Sequence, residues 1–303
     1  MHHIIDSSTF TPQFISKIFS TADRLQTHPA PASLRGKILA SLFYEPSTRT
    51  RFSFESAMLR MGGSVIGTES AGEFSSARKG ETLEDSIRVM GNYADAIVLR
   101  HFERGAAERA AKVSSVPVIN AGDGAGQHPT QALIDLYAIK RELGRIDGFS
   151  IALAGDLKHG RTVRSLAHLL AGREDVRIFL VSPKVLRAEA DVRAFLADRG
   201  ARFEEVERLD DVLPDVDVLY QTRVQKERFA TARQYRDCMR RAGSYQLTPE
   251  RAQSMKPGSV ILHPLPRVDE ISPEVDAPPG AAYFRQASYG PLVRGAVLKW
   301  VMG

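Results

Sequence analysis

The chain has 303 residues, of which 43% are hydrophobic and 25% are charged. These values are ordinary for a globular protein and exclude disorder of the whole chain. No apolar run approaches the ~20 residues of a membrane-spanning helix, and Met1–Phe10 lacks the pattern of a secretory leader. The single cysteine, Cys238, cannot form an internal disulfide, so we expect a reducing, cytoplasmic setting.

The net charge of +5 does not by itself distinguish between classes of function. It is the balance of 41 Lys and Arg residues against 36 Asp and Glu residues, mostly interleaved along the chain. A basic excess suits a nucleic-acid-binding protein, and it equally suits an enzyme of small anionic substrates. The length predicts two domains, at roughly 150 residues each.

The first half alternates short apolar runs with amphipathic stretches. Lys37–Phe43 is a predicted buried strand, and the helix Thr48–Met61 follows it until two glycines end the pattern. The later predicted strands of this half are Ser64–Gly67, Ala94–Leu99 and Val116–Asn120, and the helices are Glu81–Tyr93, Glu103–Lys112 and Pro129–Leu143.

A second alternating series follows. Its predicted strands are Phe149–Ala154, Val176–Val181, Phe203–Val206, Val216–Tyr220 and Val260–Leu262, and its helices are Arg161–Ala171, Val185–Arg199 and Leu292–Val301. Strands that alternate with helices predict parallel sheets covered on both faces. The predicted fold is therefore α/β, with two domains that are each a mainly parallel sheet flanked by helices. The pattern places the boundary in or after the helix at 129–143, near Gly144–Gly148.

Several common motifs are missing from the sequence. Gly122–Gln127 begins like a dinucleotide fingerprint, but the last glycine is absent and His128-Pro129 follows. The chain has no phosphate-binding GxxxxGK[ST] run, no GxSxG elbow and no histidine spacing typical of a metal site. We therefore expect neither a cofactor nor a metal ion.

The most informative segment is Tyr44–Glu55, which joins the first deep strand to a helix. Ser47 is a good helix cap, but the first turn contains Arg49 and Arg51 and no carboxylate. Because the positive end of a helix dipole favours acidic side chains there, two arginines destabilise the turn until an anion binds. Backbone N–H groups, hydroxyls and a guanidinium would then hold that anion together. This pattern favours a phosphate site over a plain helix cap with surface arginines.

A second strand passes through a glycine-rich turn into a helix at Asn120–Gln131. Glycines let the backbone approach a ligand closely. His128 could donate to a carbonyl oxygen, and Gln131, three residues later, could accept from an amide. Taken alone, His128 is better explained as a satisfied loop histidine.

Taken together, these segments resemble the aspartate/ornithine carbamoyltransferase family. The resemblance covers nearly the whole chain, in the order of that family. Its five motifs are Pro46–Arg51 (PSTRTR), Val98–His101 (VLRH), His128–Gln131 (HPTQ), Gly155–Thr162 (GDLKHGRT) and His263–Arg267 (HPLPR).

Three features resemble the branch of the family that uses aspartate. They are the lysine-bearing run Arg78–Thr82, the loop Gln221–Arg228, and His263–Pro266, which has proline where the ornithine enzymes have cysteine. The resemblance implies transfer of the carbamoyl group of carbamoyl phosphate to L-aspartate, giving N-carbamoyl-L-aspartate and phosphate in pyrimidine biosynthesis. The alternative is transfer to another amino acid such as ornithine, but Arg223 would repel that cationic side chain.

The resemblance also implies residue roles. Direct attack by the amine needs no protein nucleophile, so catalysis consists of positioning and charge stabilisation. The implied phosphate ligands are Ser47, Thr48, Arg49 and Thr50, and the implied oxyanion ligands are Thr50, Arg100 and His128. Gln131 and the carbonyls of Pro264 and Leu265 would bind the carbamoyl NH2, with a cis bond between Leu265 and Pro266. Arg161, Arg223, Gln225 and Lys79 would bind aspartate, Lys79 also being catalytic.

The family organisation implies further expectations. Residues 1–133 would bind carbamoyl phosphate and 134–287 would bind aspartate, with 288–303 packing back onto the first domain. Glu45 would bridge the domains on closure, with Arg161 and Arg228 as its partners; the alternative is an exposed ion pair of little energetic value.

The loop that bears Ser75 (or Ser76) and Lys79 would enter the site of a neighbouring subunit in a homotrimer. The alternative is a plain surface loop. A regulatory chain or a dihydroorotase partner is compatible with the sequence.

The basic stretch Val224–Arg241 could instead indicate a nucleic-acid-binding module, but it lacks the regular aromatic interleaving of such modules. We therefore expect a solvated helix there. We expect neither a nucleic acid nor a membrane as a partner.

Overall fold

The computed structural model describes residues 2–69, 80–224, 226, 229–241, 245–277 and 280–303. The chain divides into two compact units. The first unit is Met1–Ile134 together with Ser288–Gly303, and the second unit is Asp135–Ala287. Over the described residues, no helix is both long and apolar enough to cross a membrane.

The first unit contains a four-stranded sheet in the order β2-β1-β3-β4, in which every pairing is parallel. Strands β3 and β4 are buried along their whole length, as expected for a sheet covered on both faces. The strands are β1 (Ile38–Phe43), β2 (Ser64–Glu69), β3 (Ala96–His101) and β4 (Val118–Asp123). The helices are α1 (Pro12–Thr27), α2 (Thr48–Arg60), α3 (Leu83–Met90), α4 (Ala106–Val113) and α5 (Pro129–Leu143), whose first residues belong to this unit.

The second unit contains a five-stranded parallel sheet in the order β7-β6-β5-β8-β9. Its apolar core includes side chains from β5, β6, β8 and β9, all buried. The strands are β5 (Ser150–Ala154), β6 (Arg177–Val181), β7 (Arg202–Val206), β8 (Val218–Gln221) and β9 (Val260–Leu262). The helices that follow α5 are α6 (Arg161–Leu170), α7 (Ala190–Asp198), α8 (Ala232–Arg241), α9 (Pro249–Gln253) and α10 (Tyr283–Ser288), and α11 (Gly290–Met302) returns to the first unit.

The predicted α/β class, with two parallel sheets flanked by helices, is confirmed. The main omission was α1, which begins at Pro12 behind the capping side chain of Thr11. Its buried stripe includes Ile15, Ile18 and Phe19, and the helix packs against α11. The start of the helix predicted at Val185–Arg199 was also wrong: a separate short 3-10 helix covers Lys184–Leu186, and α7 begins only at Ala190.

Candidate active site

The turn between β1 and α2 leaves hydrogen-bond donors open at the start of the helix. Ser47 is the residue that caps α2, yet within the described residues its side chain makes no capping hydrogen bond. The first turn of α2 contains no acidic residue. The unsatisfied N–H groups of a helix start, with the positive end of the helix dipole, form a site for an anion. The hydroxyls of Ser47, Thr48 and Thr50 lie at this same end.

The two arginines of that turn have different surroundings. Arg51 donates from Nε to Glu55 Oε1 at 2.8 Å and from Nη1 to Glu69 Oε2 at 3.0 Å. Arg49 forms no ion pair with any residue that the structure describes, and burial lowers the pKa of its guanidinium. A bound anion would offset that desolvation, because an opposite charge favours the charged form. Arg49 is therefore the uncompensated cation of the turn, and Arg51 is a structural residue.

Arg100 lies beside this turn because β3 pairs with β1. The register places Phe43, the last residue of β1, opposite Arg100. The Arg100 side chain is 10% exposed; it donates to Glu45 Oε1 at 3.1 Å and to the Ala121 carbonyl at 3.3 Å. A buried guanidinium held by Glu45 after β1 and by a carbonyl of β4 has a fixed direction, as electrostatic stabilisation of a developing charge requires. Glu45, expected to bridge the domains, thus has a partner within its own unit.

The loop that leads to His128 is organised by Asp123, a residue that the sequence interpretation missed. Asp123 Oδ1 accepts from the Gln127 amide at 2.7 Å and from Asn120 Nδ2 at 3.1 Å, and Oδ2 accepts from the Gly105 amide at 2.8 Å. A carboxylate with three donors fixes the loop between β4 and α5. The available signal was an acidic residue inside a glycine-rich turn directly after a strand.

His128 and Gln131 follow on from this loop. His128 is only 4% exposed, immediately before α5. Gln131, one turn into α5, accepts a long hydrogen bond of 3.4 Å from Arg294 of α11. The carboxyl ends of β1, β3 and β4 therefore bring together Thr50, Arg100 and His128, all buried, within one unit. This is the edge at which an open parallel sheet binds ligands.

The second unit places its predicted residues at the same kind of edge. Arg161 is the first residue of α6 after β5, Arg223 follows β8, and Pro264 and Leu265 follow β9. Register aligns Ala154 with Gln221 and Tyr220 with Leu262, so the three loops leave neighbouring strand ends.

Two loops of this edge approach each other closely at Gly155. Gly155 has a φ of +117°, and a Cβ built there would lie 2.3 Å from the Thr222 carbonyl oxygen. Only glycine allows this approach, which brings the loop after β5 against the loop after β8. The segments that carry Arg161 and Arg223 are thereby held side by side.

The bond between Leu265 and Pro266 is cis, as the family resemblance implied, and Leu265 has a φ of +55°. Four of the predicted site residues, Ser75, Lys79, Gln225 and Arg228, lie outside the described residues. Across the part of the chain that the structure describes, no group of three or more His, Cys, Asp or Glu side chains is arranged to hold a metal ion.

Comparison with known families covers both units. Residues 2–141 match the family described as "Aspartate/ornithine carbamoyltransferase, carbamoyl-P binding domain". Residues 147–301 match "Aspartate/ornithine carbamoyltransferase, Asp/Orn binding domain".

Individual relatives agree with this assignment. The chain is 50% identical over 306 residues to the aspartate carbamoyltransferase catalytic subunit of Archaeoglobus fulgidus, which covers 100% of this chain and 99% of that protein. The solved catalytic subunit of M. jannaschii aspartate transcarbamoylase is 49% identical, covers 100% of this chain and 98% of its own, and has a TM-score of 0.91.

The structure of a third relative was solved with bound ligands. Trypanosoma cruzi aspartate transcarbamoylase, in complex with carbamoyl aspartate and phosphate, is 41% identical, covers 99% of this chain and 96% of its own, and has a TM-score of 0.93. These matches confirm the resemblance carried by the five motifs, and the chain belongs to the aspartate/ornithine carbamoyltransferase family.

Proposed function

We propose that this chain transfers the carbamoyl group of carbamoyl phosphate to L-aspartate, with the residues gathered at the two strand edges as its machinery. The observation that carries the proposal is the first turn of α2, where Arg49 has no described acidic partner and Arg100 lies beside the turn. Two anionic substrates need this arrangement of fixed cations and open donors. The reaction yields N-carbamoyl-L-aspartate and phosphate and belongs to pyrimidine biosynthesis.

The phosphate group binds at the start of α2. The side chains of Ser47, Thr48 and Thr50 and the guanidinium of Arg49 donate to its oxygens, as do the free N–H groups of the first turn. Support comes from the composition of that turn and from the burial that lowers the pKa of Arg49. A phosphate dianion is stabilised strongly at this site because the positive end of the helix dipole and the guanidinium both attract it.

The chemistry is direct attack on the carbamoyl carbon. The aspartate amine forms the new C–N bond, the C–O bond to phosphate breaks, and the departing phosphate takes the proton that the amine loses. Negative charge develops on the carbonyl oxygen, where Thr50, Arg100 and His128 donate; all three are buried, so solvent screens them little. Lys79 contributes a further cation. No protein nucleophile and no covalent intermediate take part.

The carbamoyl NH2 is a donor and needs acceptors. Gln131 and the backbone carbonyls of Pro264 and Leu265 supply them in this proposal. Leu265 has a left-handed backbone, which turns the carbonyls of this loop away from the direction of a regular strand.

Arg161, Arg223 and Gln225 take the two carboxylates of aspartate, with Lys79 assisting. Bidentate guanidinium pairing suits a carboxylate better than lysine does. Transfer to ornithine is disfavoured because its cationic side chain would meet Arg223. The names of the relatives reported above, all of them aspartate enzymes, support the same choice.

We infer domain closure on substrate binding, with Glu45 exchanging its partner Arg100 for Arg161 and Arg228. The bond from Arg100 to Glu45 supports this step, because it holds a half-exposed carboxylate close to the phosphate seat before substrate arrives. Residues 1–133 with 288–303 and residues 134–287 are the two moving bodies of this proposal.

We further propose a homotrimer in which the loop with Ser75 and Lys79 completes the site of a neighbouring subunit. Three large apolar side chains on α2 and β2 support an interface there: Phe52 is 59% exposed, Leu59 60% and Ile66 41%. Large apolar side chains left exposed to solvent on neighbouring elements are common at contact surfaces. Since relatives are named catalytic subunits, a regulatory chain is a further candidate partner, as is a dihydroorotase. A cytoplasmic location stays a prediction from the sequence.

The experiment that tests the function is carbamoyl transfer from carbamoyl phosphate to a panel of amino acids by the purified chain. We expect turnover with L-aspartate and none above background with L-ornithine. Turnover with another amino acid, or release of phosphate without a carbamoylated product, would overturn the proposal.

A further inference from the structure

The loop after β9 holds a backbone conformation that its own residues do not favour. Leu265 has a φ of +55°, in the left-handed region, which is uncommon for a residue with a side chain. Its amide donates to Nδ1 of His263 at 2.8 Å. The histidine two residues earlier therefore braces the loop from inside, because the bond can form only while the loop keeps this turn.

Both ring nitrogens of His263 are engaged. Since Nδ1 accepts from the Leu265 amide, the ring proton is on Nε2, which donates to Glu270 Oε1 at 2.7 Å. The His263 side chain is 1% exposed and that of Glu270 is 4% exposed. The second oxygen of Glu270 accepts from the amides of Val268 and Asp269 at 3.1 and 3.2 Å. Glu270 is thus anchored by three hydrogen bonds and fixes the plane of the imidazole.

A buried polar chain continues from the backbone of His263 into the unit. The His263 amide donates to Gln286 Oε1 at 2.9 Å, and Gln286 Nε2 donates to Asp135 Oδ1 at 2.6 Å. Tyr220 donates to the other oxygen of Asp135 at 2.8 Å. These residues come from α10, α5 and β8, so three elements hold one loop. Asp135 and Tyr220 are fully buried and Gln286 is 1% exposed. Fully satisfied buried networks of this kind specify a single geometry.

We propose that His263 is a positioning residue, held by Glu270 and Gln286, which directs the carbonyls of Pro264 and Leu265 toward the NH2 group of carbamoyl phosphate. The inference rests on the proposed function and adds a determinant of specificity. The α2 turn supplies the phosphate ligands, whereas the braced carbonyls accept from the carbamoyl NH2 group, which inorganic phosphate lacks. A chain with a loosened loop therefore binds inorganic phosphate normally and loses its preference for carbamoyl phosphate.

The test compares two ligands rather than activity alone. Dissociation constants of carbamoyl phosphate and of inorganic phosphate are measured by calorimetry on the full-length wild type and on His263→Ala. We expect phosphate affinity to stay within about twofold and carbamoyl phosphate affinity to fall about tenfold, the worth of one or two hydrogen bonds. His263→Asn recovers part of the loss, since an Asn oxygen can accept from the Leu265 amide but cannot reach Glu270.

Two further variants keep the outcome interpretable. Glu270→Gln retains an oxygen for His263 but turns an NH2 group toward the amides of Val268 and Asp269, so we expect the same selective loss of carbamoyl phosphate affinity in a milder form. This variant takes the place of His263→Ala if His263→Ala does not fold. His168→Ala removes another histidine of the same unit and leaves both affinities unchanged. Equal weakening of both ligands, or no weakening in any of the three loop variants, would overturn the inference. Wild-type turnover with aspartate tests the proposed function separately.

Discussion

Arg51 donates from Nε to Glu55 Oε1 at 2.8 Å, an ion pair within one turn of α2. This ion pair distinguishes the roles of two arginines that look equivalent in the sequence. Arg51 is neutralised by Glu55, whereas Arg49 has no described acidic partner. We expect Arg49→Ala to lower kcat by two or more decades with little change in melting temperature. Loss of one donor to a developing charge costs ~2.7–4 kcal/mol in the transition state.

Arg51→Ala is the matched control for Arg49→Ala. It leaves the half-buried carboxylate of Glu55 without its guanidinium, so about 1–3 kcal/mol of stability is lost. We expect a lower melting temperature with kcat within about tenfold of wild type. Steady-state kinetics and thermal unfolding distinguish the two variants, and equal effects on kcat would contradict the assignment of Arg49 as the phosphate ligand.

Arg100 is expected to act on the transition state rather than on ground-state binding. Its guanidinium is buried and directed by Glu45 and the Ala121 carbonyl. Arg100→Ala should reduce kcat about a hundredfold or more, with a smaller change in the KM of carbamoyl phosphate. An increase in KM at unchanged kcat would show that the residue binds substrate and transition state equally.

The aspartate half of the proposal depends on Arg223. Arg223→Gln should raise the KM of aspartate about ten- to a hundredfold, because charge-assisted hydrogen bonds contribute ~1.5–3 kcal/mol. Arg233→Gln is the control, since the Arg233 side chain on α8 is 87% exposed. If Arg223→Gln left the KM of aspartate unchanged, the aspartate site would have to lie elsewhere.

Sharing of active sites between subunits can be tested by hybrids. A chain with Lys79→Ala and a chain with Arg49→Ala are each expected to be nearly inactive. In a cyclic trimer with two kinds of chain, one site of three combines an intact Arg49 with an intact Lys79 from its neighbour. Random mixing of equal amounts should then restore roughly a quarter of wild-type activity. Mixtures that stay as inactive as their parents would contradict shared sites.

The site was most predictable where function forces a residue against its local preference. Two arginines in the first turn of a helix conflict with the dipole, and that conflict is readable from neighbouring residues. The ion pair of Arg51 with Glu69 could not be predicted from the sequence, because the two residues are 18 positions apart and meet only when β2 forms. The helix α1 was missed because its buried stripe depends on packing against α11, almost three hundred residues later.

The bracing of the β9 loop was hidden for a similar reason. His263 and Glu270 lie seven residues apart in an irregular segment, where no helical or strand spacing brings them together. Gln286 and Asp135 are 151 positions apart and join only through the fold of the second unit. Sequence patterns report local periodicity, so long-range polar networks need the structure.

Acid should lower the folding stability of the second unit by protonating Asp276. The Arg267 guanidinium beside it holds the pKa of the Asp276 carboxyl below its ordinary value of 3.8, and Tyr283 also donates to that carboxyl. A carboxyl with a lowered folded-state pKa stabilises the fold above its ordinary pKa, and this contribution is lost as the pH falls through the lowered value.

Asp276→Asn should therefore melt below wild type at pH 7. The difference in melting temperature should shrink as the pH is lowered from about 4 toward 2, because the wild-type Asp276 carboxyl gains its proton only below its ordinary pKa of 3.8. The measurement is calorimetric unfolding of both chains over this range. Because every other carboxyl titrates alike in the two proteins, their difference isolates the pair of Asp276 with Arg267. A constant difference in melting temperature down to pH 2 would show that the ion pair contributes nothing that depends on charge.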